Sequence, residues 1–375
     1  MRCIIVRCED TAPGQSLTSL IEGAKLPHLQ QLAQSGAAGT LRAKEMDRLR
    51  LHGALLGIEP TDPAMAPARW YAANAHHVLG PGETAWCCEF LTQQDGQILT
   101  PFACAITGKE SASLIQALNE HLGSEARRWV LGAGGHHLLV TREASLIPPT
   151  SEGWRSPELL TGQPWRRHLP KGSLGETVST LIDAASKLLD AHPVNRVRVD
   201  LGENPANLIW LWGASPSGTP RSAQERTGRA GTVVSSAFPM RGLAQALGLG
   251  WAEGLTAWHE AAFQRLAATI KELGRTQEVI YVHLRIDQTE PVDRLCAMER
   301  LDQLVLKELA QWLPARGPWR LLTVIDERPN HPIALVAAGS DLPAQPVARL
   351  STDTLDASPL LFKDGQAVWT WLTKE

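Results

Sequence analysis

Phenylalanine and tyrosine are scarce in this chain of 375 residues, 5 and 2 against 13 tryptophans. Tryptophan carries a large apolar body and one donor that wants a partner, and no function follows from its abundance. The chain also has little excess charge, formally -3, and its Lys and Arg residues are scattered. That removes the basic field a nucleic-acid binder needs. No apolar run approaches the roughly 18 residues of a spanning helix, and MRCIIVRCED meets charge after a few apolar residues. The expectation is a soluble, cytoplasmic protein with no membrane and no nucleic-acid partner. Six cysteines, at 3, 8, 87, 88, 104 and 296, include no CxxC pair. Adjacent Cys87 and Cys88 have poor disulfide geometry, so these read as reduced thiols, mostly core.

Nucleophile and phosphate templates are missing as well. GASPSG (213–218) is not GxSxG, HEAAF at His259 lacks the second His of HExxH, and GAGG (132–135) is no phosphate loop. His76 with His77, and His136 with His137, would point to opposite sides of a strand, so neither pair chelates one ion there. WRRH (165–168) reads as a solvated basic turn or an anion grip.

What is present is enough apolar sequence, 43%, in a chain long enough for two domains. Strand, loop and helix open it: 3–7, then LPHLQQLAQSGAAG (26–39) with helical spacing at Leu29, Leu32 and Ala33. Residues 62–82, rich in Pro, Ala and Gly, read as a linker. TAWCCEFLTQQDGQIL (84–99) reads as a hairpin turning at Asp95-Gly96. TGKESASLIQALNEHLG (107–123) reads as a helix with a Thr107 and Glu110 capping box. Strand-helix alternation then runs from LIWLWG (208–213) to RLLTVID (320–326), which argues for a mainly parallel doubly wound sheet.

Two core strands end in an acid, at Asp287 and Asp326. With Cys8, Glu9 and Asp10 after the first strand, and Asp353 near the end, carboxylates could converge on one sheet edge where α/β proteins hold ligands and metals. An acid there can equally cap the following turn.

The order of segments resembles the archaeal-type cofactor-independent phosphoglycerate mutases of the alkaline phosphatase superfamily over nearly the whole chain. LPHLQQLAQSGAAG is similar to TPNLDxLAxxGxxG of that family, LLGIEP (55–60) to LLGYDP, and WCCEFLTQQDGQI (86–98) to FRCNLxTxxDGxI. GHHLLV (135–140) stands against YRHLLV, NPANLIWLWGAS (204–215) against PANxIWLWGxG, VVSSAFPMRGLAQALGL (233–249) against ISAVxLIRGIGxxxGL, and YVHLRIDQT (281–289) against YVHVEAPDE. The resemblance implies an α/β, doubly wound alkaline-phosphatase-like core, 1–65 and 192–375, with an inserted smaller α+β domain, 66–191.

The same resemblance implies two divalent metals (Mn, Mg or Zn) and a phosphoryl-carrying Ser. Here the Ser position falls on Arg48, and the first-strand Asp near Cys8, Glu9 or Asp10. DExxH becomes Asp287 followed by Pro291, DH becomes Asp326-Glu327, and the late HT becomes Asp353-Thr354. The arginines of FRCN and YRH fall on Cys87 and His136, and a PHD acid on Thr150. His283, Asp287, Asp326 and Arg241 survive. The expectation is a mutase-like protein without nucleophile or metal ligands, acting as a non-catalytic binding or regulatory module. No metal or cofactor is expected, and Arg48 is expected to neutralise the surviving acids. The partner is a small anionic ligand, with Arg241 and His137 as candidate contacts, or a protein. The alternative is an active metal-dependent mutase, or a related phosphotransferase or phosphatase, with relocated ligands.

Overall fold

The computed structural model describes residues 1–10, 19–42, 48–100, 106–148, 155–157, 160–218, 220–327 and 332–374, the side chains of Arg48, Leu99 and Thr100 excepted. Its strands in chain order are β1 Arg2–Asp10, β2 Ala37–Leu41, β3 Thr84–Gln94, β4 Gln97–Thr100, β5 Arg127–Val130, β6 His137–Thr141, β7 Leu208–Pro216, β8 Gly231–Val234, β9 Gly250–Ala252, β10 Val279–Ile286, β11 Trp319–Asp326, β12 Ile333–Gly339 and β13 Leu361–Phe362. The chain divides into two compact units, Met1–Pro60 with Arg221–Glu375, and Thr61–Pro220.

The larger unit holds an eight-stranded sheet in the order β13-β2-β12-β11-β1-β10-β8-β9. β1 lies in its interior, parallel to β10 on one side and β11 on the other, while β12 runs antiparallel to both of its neighbours. A strand buried on both faces reads as a near-continuous apolar run, and CIIV at 3–6 is that run. One face packs Ile4, Val6 and Cys8 with Ile280, Val282 and Leu284 against Leu29, Leu32, Phe263, Ile270 and Met298 from helices. Helices Arg48–Ala54 and Gly365–Thr373 cover the other, where buried Arg320 donates from Nη1 to the Leu372 carbonyl at 2.7 Å.

The smaller unit is an antiparallel sheet of five strands, β4-β3-β6-β5 with β7 on the other edge of β3. The Asp95-Gly96 turn of its hairpin has φ of 52° and 75°, the left-handed pair that a two-residue primed turn requires. The helix Gly108–Leu122 has the Thr107 and Glu110 capping box in place.

Two expectations are corrected. The second boundary lies at 220, not 191, because β7 pairs with β3 from Thr84↔Pro216 to Leu91↔Leu208 and so belongs to the smaller sheet. The supposed linker contains the helix Pro67–Asn74, which buries Trp70 and Tyr71 after Asp62 caps the 3-10 turn before it.

One irregularity has a plain cause. The helix starting at Pro291 widens into a π turn at Asp302–Leu306. The fully buried Asp302 carboxylate there accepts from the Leu29 and His28 amides at 2.7 and 3.2 Å. These are orphan donors at the start of helix Pro27–Ser35, whose own N-cap is a leucine without a side-chain bond. Asp302→Ala should therefore lower stability by about 1–3 kcal/mol; urea denaturation reads this, and an unchanged midpoint would contradict it.

Candidate functional site

Strand alternation sorts β1 into two faces: residues 4, 6 and 8 enter the apolar core, and residues 7 and 9 the opposite face. Register sets Arg7 beside His283 on β10, and Glu9 beside Asp326 on β11. The result is a polar group near the carboxyl ends of three parallel strands, the usual place for a ligand site in an open α/β sheet. Helix Arg48–Ala54 brings His52 onto it, and Ser235, just after β8, lies at its side.

Arg7 is completely buried, and Glu9 and Asp326 are 7% and 3% exposed. The Arg7 Nη2 donates to Asp326 Oδ2 at 2.8 Å and lies 3.8 Å from Glu9 Oε2. Its Nη1 is 3.1 Å from His52 Nδ1, with the Tyr281 hydroxyl 2.7 Å from the same nitrogen. A guanidinium only donates, so His52 Nδ1 is an acceptor and the ring is neutral. On the other side, His283 Nε2 is 3.0 Å from Glu9 Oε2, and its Nδ1 is 3.1 Å from Ser235 Oγ. Nε2 carries the proton toward the carboxylate, and the serine hydroxyl donates to Nδ1.

These contacts set the charges. Burial would raise the Glu9 carboxyl, but Arg7 and the His283 hydrogen bond outweigh it and hold the group well below its ordinary range. Burial and the Arg7 charge push His52 well down. Burial also lowers His283, against the opposing pull of Glu9. Among the described residues the cluster thus sets the Arg7 guanidinium against two acids, with Glu9 ionised and both imidazoles neutral at neutral pH.

Glu9, His52 and His283 bring ligand atoms within 4.8 Å of one another, the only such group of three among the described residues. The two divalent ions implied by the resemblance do not fit this donor set. A fixed positive charge already sits between the two carboxylates, and the His52 Nδ1 and His283 Nδ1 lone pairs are taken by hydrogen bonds.

The other expected residues are dispersed, and the convergence of acids is corrected. Cys8 faces the apolar core, its thiol pushed up to about 12 by burial. Asp10 is buried against Arg294. Asp287 and Asp353 are exposed, the latter in the first turn of helix Thr352–Asp356. Glu327 Oε1 accepts from Ser19 Oγ and the Ile21 amide at 3.0 and 3.1 Å, a helix cap rather than a ligand. The Arg48 side chain and Thr150 lie outside the described residues; among the described residues the cation beside Glu9 and Asp326 is Arg7. His137 is fully buried opposite Cys88, takes the Gly132 amide on Nδ1 and is lowered by burial to about 4. Arg241 is exposed, stacked 5.3 Å from the Trp251 ring centroid. Arg166 of WRRH bonds Ser179 and Asp183 and stacks on Trp165, so it serves its own fold.

Arg7, His52 and Tyr281 escaped the sequence reading. The signal was there: Arg7 interrupts CIIVRCED two residues before Glu9, and an Arg inside a buried strand needs a partner on its own face.

In the smaller unit, Cys87 and His136 stand at the expected arginine positions. Cys87 is buried in β3. Tyr71 donates to Glu89 Oε1 at 2.5 Å, Trp212 Nε1 donates to the same oxygen at 3.2 Å, and His136 Nδ1 reaches the Tyr71 hydroxyl at 2.7 Å. A buried carboxylate, 3% exposed, is the centre of this group.

Comparison with known proteins agrees with the order of segments. A family model described as 2,3-bisphosphoglycerate-independent phosphoglycerate mutase matches residues 52–195. A protein of that name from Methanosarcina acetivorans is 25% identical over 368 residues, 93% of this chain and 89% of the relative. Another, from Methanothrix thermoacetophila, is 27% identical over 330 residues, 83% and 80% of the two chains. Among solved structures, the cofactor-independent phosphoglycerate mutase of Thermoplasma acidophilum superposes with TM-score 0.60 at 18% identity, covering 100% of this chain and 99% of that one. The PH0037 protein of Pyrococcus horikoshii gives 0.66 at 15%, covering 99% and 96%. These two show the fold.

Depressed imidazoles give the cluster a pH signature. Neutral buried His52 and His283 bind fewer protons than the unfolded chain, so stability is present above the unfolded value near 6.5 and lost as pH falls below it. The Glu9 share is lost only further down, as pH passes its own depressed value. Melting temperature should drop between pH 7.5 and 5.5, less steeply in His52→Gln. A flat or rising profile would be inconsistent with neutral buried rings.

Proposed function

We propose that this chain, a divergent member of the archaeal-type cofactor-independent phosphoglycerate mutase family, performs no phosphoryl transfer and serves as a non-catalytic binding or regulatory module. The observation that carries this reading is the Arg7 guanidinium held between Glu9 and Asp326. Phosphoryl transfer of the family type asks for mobile divalent ions that clamp both oxygens of the displacement; an internal guanidinium can offer charge but no exchangeable coordination position.

Three further features support it. The nucleophile position is Arg48, and a guanidinium cannot form a phosphoenzyme. Ser235, the serine hydroxyl beside the cluster, is fully buried and already engaged by His283 and the Ala237 amide. Where the smaller unit would need arginines for a phosphate, it has Cys87, and His136 beside the Glu89 carboxylate at 3.7 Å. A buried anion at that place disfavours a phosphorylated sugar acid. The partner in this reading is a different small anionic ligand or a protein, and exposed Arg241 remains the candidate anion contact in the larger unit.

The test is an assay of phosphoglycerate isomerisation with excess Mn or Mg, in a preparation made in a host lacking its own mutase. No turnover is expected, and no phosphorylated protein after incubation with substrate. Turnover of about 1 per second or more, in the ordinary enzyme range, would overturn the reading.

A further inference from the structure

We propose that Arg7 is an internal cation standing in for a divalent ion between Glu9 and Asp326, so that the fold is complete without metal. A protein can lack phosphoryl transfer and still need an ion to hold its crevice together, so this stands apart from the functional reading above.

The argument begins with register. Glu9 and Asp326 are paired residues on adjacent parallel strands, so their carboxylates share one face. Both are buried, and two buried carboxylates side by side repel unless a positive charge lies between them. A bound metal ion is one solution to that problem. The chain carries another: Arg7, two residues earlier on the same face of β1, sends its planar fork along the strand, one nitrogen to Asp326 and the other toward His52. The guanidinium is permanently charged and directional, which suits it to a buried carboxylate.

Arg7 also decides what the imidazoles do. With the guanidinium at 3.1 Å and the Tyr281 hydroxyl at 2.7 Å, the His52 Nδ1 lone pair faces two donors. Without Arg7 only the Tyr281 hydroxyl holds that lone pair, and a hydroxyl can turn to donate elsewhere, which frees Nδ1 beside Glu9 and His283, the three offering ligand atoms within 4.8 Å of one another. Two imidazoles and a carboxylate make a donor set for Zn or a similar transition metal. The wild-type chain is therefore independent of metal, and removal of the Arg7 charge at constant bulk makes it dependent on one.

The experiment compares wild type, Arg7→Met, and Arg7→Met with Glu9→Gln, by elemental analysis of the purified proteins and by melting in chelator, in plain buffer and with added Zn. Wild type is expected to hold far less than one ion per chain and to melt within about 1 °C in all three conditions. Arg7→Met is expected to melt lower in chelator and to gain about 5 °C or more with Zn. The double variant, which lacks the anionic ligand, should lose that gain. A stoichiometric ion in wild type whose removal lowers the melting temperature would overturn the proposal, as would an Arg7→Met protein indifferent to Zn. If Arg7→Met is insoluble with or without Zn in the growth medium, Arg7→Lys decides, because it keeps the charge and loses the fork. It should be soluble and indifferent to metal; insolubility or Zn stabilisation of that variant would reject the idea.

Discussion

Among the described residues, the buried Arg7 guanidinium beside Glu9 and Asp326 organises the crevice of the larger unit. Arg7 cannot leave Asp326 without exposing a charge to an apolar interior, and breaking such a pair by removing one partner typically costs about 3–5 kcal/mol. Everything around it follows the sign of that charge. His52 is neutral and turned to accept, and Glu9 stays ionised and draws the His283 proton. Ser235 completes the series from the edge of β8. Four consecutive strands of the sheet, β11, β1, β10 and β8, are tied by side chains across their carboxyl ends.

The smaller unit shows the opposite sign under the same rule. There the buried acid is Glu89, and its donors are Tyr71 and Trp212, with His136 behind the tyrosine hydroxyl. Tyrosine and tryptophan bury a large apolar body and keep one polar tip for a partner, so they can line a buried carboxylate without bringing a second full charge. Part of the unusual tryptophan content is explained in this way: Trp70, Trp86, Trp165, Trp210 and Trp212 are all nearly or fully buried, each with its indole nitrogen bonded to a carbonyl or carboxylate oxygen.

The architecture was legible in the sequence because it rests on periodicity and turn chemistry. The buried run of β1, the Asp95-Gly96 turn and the Thr107 cap each act locally, and each is where its residues put it. Membership of β7 was not legible. LIWLWG reads as a buried strand in either sheet, and only its pairing with β3 assigns it. The π turn at Asp302 was hidden for a related reason: the partner of its buried carboxylate is the start of a helix more than 270 residues away. Of the candidate site, Asp326 and His283 were visible as polar residues on core strands, and Glu9 as one of three choices. Arg7 was not legible from the family pattern, although strand parity alone distinguishes Arg7 and Glu9 from Cys8 and Asp10.

That parity also limits what the cluster can be for. A buried ion group contributes little net stability compared with apolar side chains of equal volume, since desolvation offsets most of the attraction. Leucine or methionine on the odd positions of β1 would have filled the same face. The chain instead has Glu9 and Asp326 side by side on that face and places a cation beside them from within the strand. What this arrangement provides is a polar crevice whose side chains hold one another in place. Because Arg7 and Glu9 reach across to β11 and β10, a slip of β1 by one residue would put both charges into the apolar core with Ile4 and Val6. The ion group therefore fixes register at the centre of the sheet.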